Sequence, residues 1–419
     1  MSLPLFLNPA LEKIESFLTI HLQLSQESPL NLNIYMELSM DFGMRDLVME
    51  SLVLHVHRWK TVQFHPYLVL PSAALKNDFV LNVPLLHTLK LEHPPSDDEN
   101  GDVIFDVFKN ATSLRVLELG GEDLEVLELP WEQITDFTLK FVRLAPALQH
   151  ASLAREATHI TFSRCYWDID EDDDDEPDYI VHNLTSLTMI IDDQDSDFFP
   201  FFEWLTLPCL SHLCISGDED SRPQCYCVYS DDYFAPFLSR SSCNITSLSI
   251  IDVPMKAADM ISFIFSITSL STLVIDEKQL ITQTTHKIVT IDFLEALTLV
   301  HNSTSKRLCH LQHLDLRFHA TFPAKHVIEL VRSRSIPDLG YNRTPALDGV
   351  NALKSVKIQA LKSENAMAFD GDELIKAMEV CIASGLQSSL SSEFVTVGED
   401  PKEEGENSEE EEWDTEEEL

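Results

Sequence analysis

The chain has 419 residues, 44% of them hydrophobic, and a formal net charge of −41 at pH 7. That length suits either two to three compact domains or one extended repeat array, and the apolar fraction is enough to bury a core along most of it. So strong a negative field argues against nucleic acid and anionic membranes as partners and favours a protein partner, a basic one by charge.

Targeting signals are missing. No uncharged apolar run approaches the ~18 residues of a membrane span, and the first residues lack the basic start of a secretory signal. The eight cysteines include no CxxC pair. These features predict reduced thiols in the cytoplasm or nucleus, without a membrane-bound state.

In chain order, residues 1–58 read as an N-terminal helix and first repeat that form a capping region. Residues 59–385 carry the repeat signal. The pattern Leu-x-x-Leu-x-(Leu/Ile/Met) starts at Leu86, Leu114, Leu124, Leu184, Leu210, Leu270, Leu294 and Leu311, with looser copies at Trp59, Ile134, Ile245 and Leu353. Alternation along a strand sends these leucines to one face and the residues between them to the other. Segments 103–109, 233–240, 255–267, 291–300 and 325–334 show apolar residues at three-to-four spacing and are predicted helices. The Leu294 match falls inside one of them and is assigned to helix. Repeat starts are unevenly spaced, and no asparagine ladder closes the turns.

Two acidic segments stand apart. Residues 168–178 hold nine acids in eleven positions, and residues 399–419 hold thirteen acids against the single Lys402. A calcium loop over 168–179 would need glycine and glutamate where Asp173 and Tyr179 stand, so the first segment is read as a solvated insertion. Residues 386–419 are predicted to form a disordered acidic tail. The expected fold is therefore α/β: an irregular leucine-rich-repeat-like solenoid with short parallel strands on one face and helices on the other.

Residues 9–37 (PALEKIESFLTIHLQLSQESPLNLNIYME) resemble the helix and first strand that follow the F-box in the F-box/leucine-rich-repeat-like family of mushroom-forming (basidiomycete) fungi. His57 to Lys60 with Val62, the run 83–91 (VPLLHTLKL), the run 129–135 (LPWEQIT) and the run 327–334 (VIELVRSR) resemble its later units, so the likeness covers about residues 9–375. The resemblance implies a protein-binding solenoid that recognises substrates or acts as a scaffold in ubiquitin ligase assembly. It implies a Skp adaptor and cullin as partners only if an F-box stands upstream. Leu3-Pro4 leads into Leu5-Phe6-Leu7 instead of the family's Leu-Pro-x-Glu helix, so the module itself is expected to be missing.

Nothing in the sequence points to catalysis: GxSxG, HExxH, P-loop and GxGxxG motifs are all lacking. Cys309, His310 and His313 sit on a predicted strand whose alternation prevents them from converging on zinc. No enzyme activity, cofactor or metal is expected. Candidate contact residues are those between the motif leucines: Thr88, Lys90, Glu118, Asp136, Thr138 and His212, then Ser247, Ser249, Thr272, His313, Asp315 and Lys357. Acids following the strands, among them Asp192, Asp193, Asp195 and Asp197, and also Asp218, Asp276 and Glu277, are expected to form a negative rim that steers a basic partner. The alternative is an acidic, chaperone-like binder of basic proteins with no ligase role.

Overall fold

The computed structural model describes residues 9–35, 42–65, 81–92, 105–121, 127–166, 179–192, 199–218, 227, 229–280, 286–299, 308–335, 350–362 and 369–394. Helix α1 (Pro9–Leu24) leads to β1 (Leu30–Tyr35), α2 (Phe42–Val53) and β2 (Trp59–His65). Then come β3 (Thr88–Glu92), β4 (Val116–Gly120), β5 (Asp136–Lys140), α3 (Leu144–Leu153), β6 (His159–Ser163), β7 (Ile180–Val181) and β8 (Ser186–Ile191). The middle continues with α4 (Phe201–Trp204), β9 (Leu205–Thr206), β10 (His212–Gly217), α5 (Asp231–Ser241), β11 (Ser247–Ile251), α6 (Ala257–Ser266) and β12 (Thr272–Asp276). The last described elements are α7 (Ile291–Leu297), β13 (His313–His319), α8 (Lys325–Ser335), β14 (Ser355–Lys362), α9 (Gly371–Ala383) and β15 (Gln387–Phe394).

Thirteen of these strands, all but β7 and β9, form one sheet in chain order, and every pairing in it is parallel. The motif explains why. Its first leucine lies two residues before the strand, and its other two occupy alternate strand positions. In register they make three buried rows: Leu86, Leu114, Ile134, Leu210 and Leu270; Leu89, Leu117, Phe137, Leu213 and Leu273; Leu91, Leu119, Leu139, Ile215 and Ile275. Each side chain removed from water contributes about 2 kcal/mol, so every strand adds its share to a continuous core. The connecting helices bury one side into that core, as with Met260, Phe263 and Ile264 of α6.

A second repeating device runs along the N-terminal ends of the strands. The hydroxyl oxygens of Thr135, Thr158, Thr185, Ser211, Thr246 and Ser271 each lie 3.0–3.3 Å from the carbonyl oxygen of the equivalent residue in the preceding unit, within hydrogen-bond reach, and Thr135 also reaches Asp136 at 2.7 Å. The backbone N–H of each of these residues donates to the same carbonyl.

The structure also revises parts of the sequence reading. The Leu124 match does not make a strand among its described residues, although Leu127 is buried. Segment 103–109 contributes only a short 3-10 turn, Phe105–Phe108. The triplet Thr-Ser-Leu, which stands at 112–114, 185–187, 246–248 and 268–270, occupies two registers: Leu187 and Leu248 are strand residues, whereas Leu114 and Leu270 lie three positions earlier, in the turn row. Residues 387–394, assigned to a disordered tail, form β15, which pairs with β14, so the sheet runs past residue 385. Residues 168–178 and 399–419 lie outside the described residues.

Candidate functional site

Because the strands pair without offset through most of the sheet, residues on its open face line up in three rows. The first row contains Thr88, Asp136, His212, Ser247, Thr272 and His313; the second contains Lys90, Glu118, Thr138, Ser249, Asp315 and Lys357. All twelve candidates thus share one face. The third row, which the motif did not nominate, contains Glu92, Lys140, Ile190, Ile251, Asp276, Arg317 and Gln359.

Two ion-pair networks flank this face. On β3 to β5, Glu118 is only 8% exposed because Lys90 Nζ and Lys140 Nζ close over it at 2.7 and 2.5 Å. Burial raises its pKa, but the hydrogen bonds and charge of Lys140 and Lys90 outweigh burial and hold it below the ordinary value. Glu118 therefore positions two lysines and is itself covered. Beside it, His65 Nδ1 meets Glu92 Oε2 at 2.5 Å. On β12 to β14, Arg317 donates to Asp276 at 2.9 Å and to Gln359 at 2.6 Å, and Lys357 donates to Asp315 at 2.9 Å. Over the three rows four cations (Lys90, Lys140, Arg317, Lys357) face five carboxylates (Glu92, Glu118, Asp136, Asp276, Asp315), a net of −1 in a chain of −41.

The rim expected from the acidic runs takes a different form where it is described. Asp218 pairs with Arg164, and Asp276 with Arg317. Asp192 follows β8, while Asp193, Asp195 and Asp197 lie outside the described residues. Glu277 is 1% exposed, and its Oε1 accepts from the N–H groups of Ile288 at 2.6 Å and Val289 at 3.1 Å. Burial pushes its pKa up to about 7 against the opposing pull of those two N–H groups. Nearby Asp252, which accepts from Gln279 N at 2.6 Å, is raised to about 6, again chiefly by burial. Burial also lowers the pKa values of Lys287 and His319. The clamp on Ile288 and Val289 ties the chain after β12 back to the strand end.

Other chemistry-bearing residues do not converge. His313 bonds Ser355 Oγ at 2.7 Å on the open face, and His310 is exposed in the preceding turn. Among the described residues no group of three or more His, Cys, Asp or Glu could hold a metal ion. Described cysteines are free thiols; Cys227 is buried, and Cys225 lies outside the described residues. No described helix is long and apolar enough to cross a membrane. No protein-family model matches this chain, and no curated protein matches it.

Proposed function

We propose that the chain is a non-catalytic, leucine-rich-repeat-like solenoid that binds another protein on the open face of its sheet. One observation carries this reading: thirteen parallel strands in chain order bury their leucines on one side and present three aligned rows of mostly polar side chains on the other. Such a face is broad, and the core behind it fixes its backbone. It therefore offers contact residues at little ordering cost, which is what recognition of a partner requires. A photo-crosslinking residue placed at Thr138 or Ser249 should trap a discrete partner in extract, whereas the same residue at Ser262 on α6 should not. Products from Ser262 alone would overturn the reading.

The resemblance extends the proposal to substrate recognition or scaffolding in ubiquitin ligase assembly. Co-purification of a Skp adaptor with the full-length protein tests that extension separately. The alternative, an acidic binder of basic proteins, rests on residues 168–178 and 399–419 and gains nothing from a face whose charges are paired.

A further inference from the structure

Between the two flanks the open face changes character. Strands β6, β8, β10 and β11 place twelve side chains in the three rows, and none is Asp, Glu, Lys or Arg. With 24% of the chain charged, about three would be expected. Thr161, Thr188, Cys214 and Ser249 make the middle row, with half-buried Ile190 and Ile251 beside them. These side chains are short or apolar, and the long ones that rise on either side are held in salt bridges.

One edge of this strip carries an exposed aromatic group. Phe141, directly after β5, has φ 55 and is 37% exposed. The same left-handed turn follows β6 at Arg164 (φ 51) and β11 at Asp252 (φ 52), so it is how these strands end, and it sets the direction in which the Phe141 ring leaves the sheet. The Arg164 guanidinium lies 4.9 Å from the Phe141 ring and is also tied to Asp218, so the aromatic edge is fixed without adding net charge. Ordered aromatic and arginine side chains of this kind anchor protein interfaces.

We propose that this strip, bounded by Phe141, is the contact centre of the face, and that it takes an extended, uncharged polypeptide segment of the partner. The inference rests on the sheet-face reading above and narrows it. Four strands at about 4.8 Å spacing span about 14 Å from the first to the last, the reach of an extended segment of about five residues. A cationic segment would have to leave water for a surface whose carboxylates are already paired, with no attraction to offset its desolvation. An uncharged segment gains apolar contact with Ile190, Ile251 and Phe141 and hydrogen bonds from the hydroxyls.

The test is selection of a random displayed peptide library on the full chain, followed by affinity measurement on the enriched peptides. Expected are peptides with an uncharged stretch of about five residues. Thr188→Lys and Thr188→Glu should each weaken them at least about tenfold, Phe141→Ala should weaken them too, and affinity should stay nearly constant from about 50 to about 300 mM salt. Unchanged melting of each variant shows that the fold survives. Peptides rich in Lys and Arg that bind less tightly as salt rises, yet are still weakened by Thr188 substitution, would overturn this inference and leave the sheet-face reading standing. If no peptide is weakened by Thr188→Lys, Ser249→Arg or Lys357→Glu, both fall.

Discussion

Glu118 and Glu277 are both buried glutamates of one sheet, yet their acidities move in opposite directions. Glu118 stands on the open face in direct contact with two lysines, whereas Glu277 follows a strand end, hydrogen-bonded by two backbone N–H groups, with the charges of Lys287 and Asp252 acting on it in opposite senses. Both pay for desolvation. The difference teaches that lysines in direct hydrogen-bonded contact outweigh burial here, whereas backbone N–H donors and a lysine charge acting without such contact do not.

The comparison has a direct pH consequence. Glu118, held below its ordinary value, contributes stability that is present above the unfolded pKa and is lost as pH falls through the folded one. Glu277, raised to about 7, contributes stability that is full below the unfolded pKa and is lost as pH rises through the folded one. The protein should therefore lose stability at both ends of the range for two separable reasons.

The largest effect is expected for Glu118→Ala. It leaves Lys90 and Lys140 side by side without their counter-ion and should cost about 3 kcal/mol in urea denaturation at neutral pH. A loss below about 1 kcal/mol would show that the lysines find solvent or other partners. Glu277→Gln should be next and of opposite sign. The amide oxygen still accepts from Ile288 and Val289, so the variant should be about 2 kcal/mol more stable than wild type near pH 8 and nearly equal near pH 5. Parallel stability-versus-pH curves for the two proteins would refute the assignment. Lys140→Met leaves Lys90 in place and should cost about 1–2 kcal/mol, with acid-induced loss beginning at higher pH than in wild type. Smallest is Thr158→Val. Removal of one neutral donor from the ladder should cost about 0.5–1 kcal/mol in the same denaturation assay, less than either change at Glu118 or Lys140.

Much of the sheet was legible because its signal is local. Leu114, Leu117 and Leu119, five positions apart in all, specify one turn residue and two strand residues, and all three are fully buried. Strand β6 escaped because Ala157, Ile160 and Phe162 fill the same three rows with no leucine. Helix α9 also escaped, although it begins with a readable signal: Asp370 caps it through Asp372 N and Glu373 N at 2.9 and 3.1 Å. Alternation nominated twelve residues of the first two rows of the open face, but not His159, Thr161, Ser186, Thr188 or Cys214, because the strands that carry them were read incompletely or not at all. The charge balance of that face was not legible, because Lys90, Glu118 and Lys140 are 28 and 22 residues apart in sequence and become neighbours only through strand register. Likewise, sequence shows Glu277 in an acidic run but not that the backbone of Ile288 and Val289 encloses it.

The hydroxyl ladder also ties two imidazoles to one edge of the sheet. A hydroxyl has one hydrogen to give, and Thr158 and Ser211 each have two acceptors for it: the carbonyls of Thr135 and Thr185, at 3.3 and 3.2 Å, and a histidine nitrogen. The same oxygens lie 2.9 and 2.8 Å from Nδ1 of His159 and His212. The proton on each ring and the hydroxyl beside it are therefore linked: a hydroxyl that gives its hydrogen to the ring leaves the carbonyl to the backbone N–H alone. His159 and His212 are both exposed, on strands separated only by β8. One edge of the uncharged strip thereby carries two exposed imidazoles about 10 Å apart, the rise of about three residues of an extended chain.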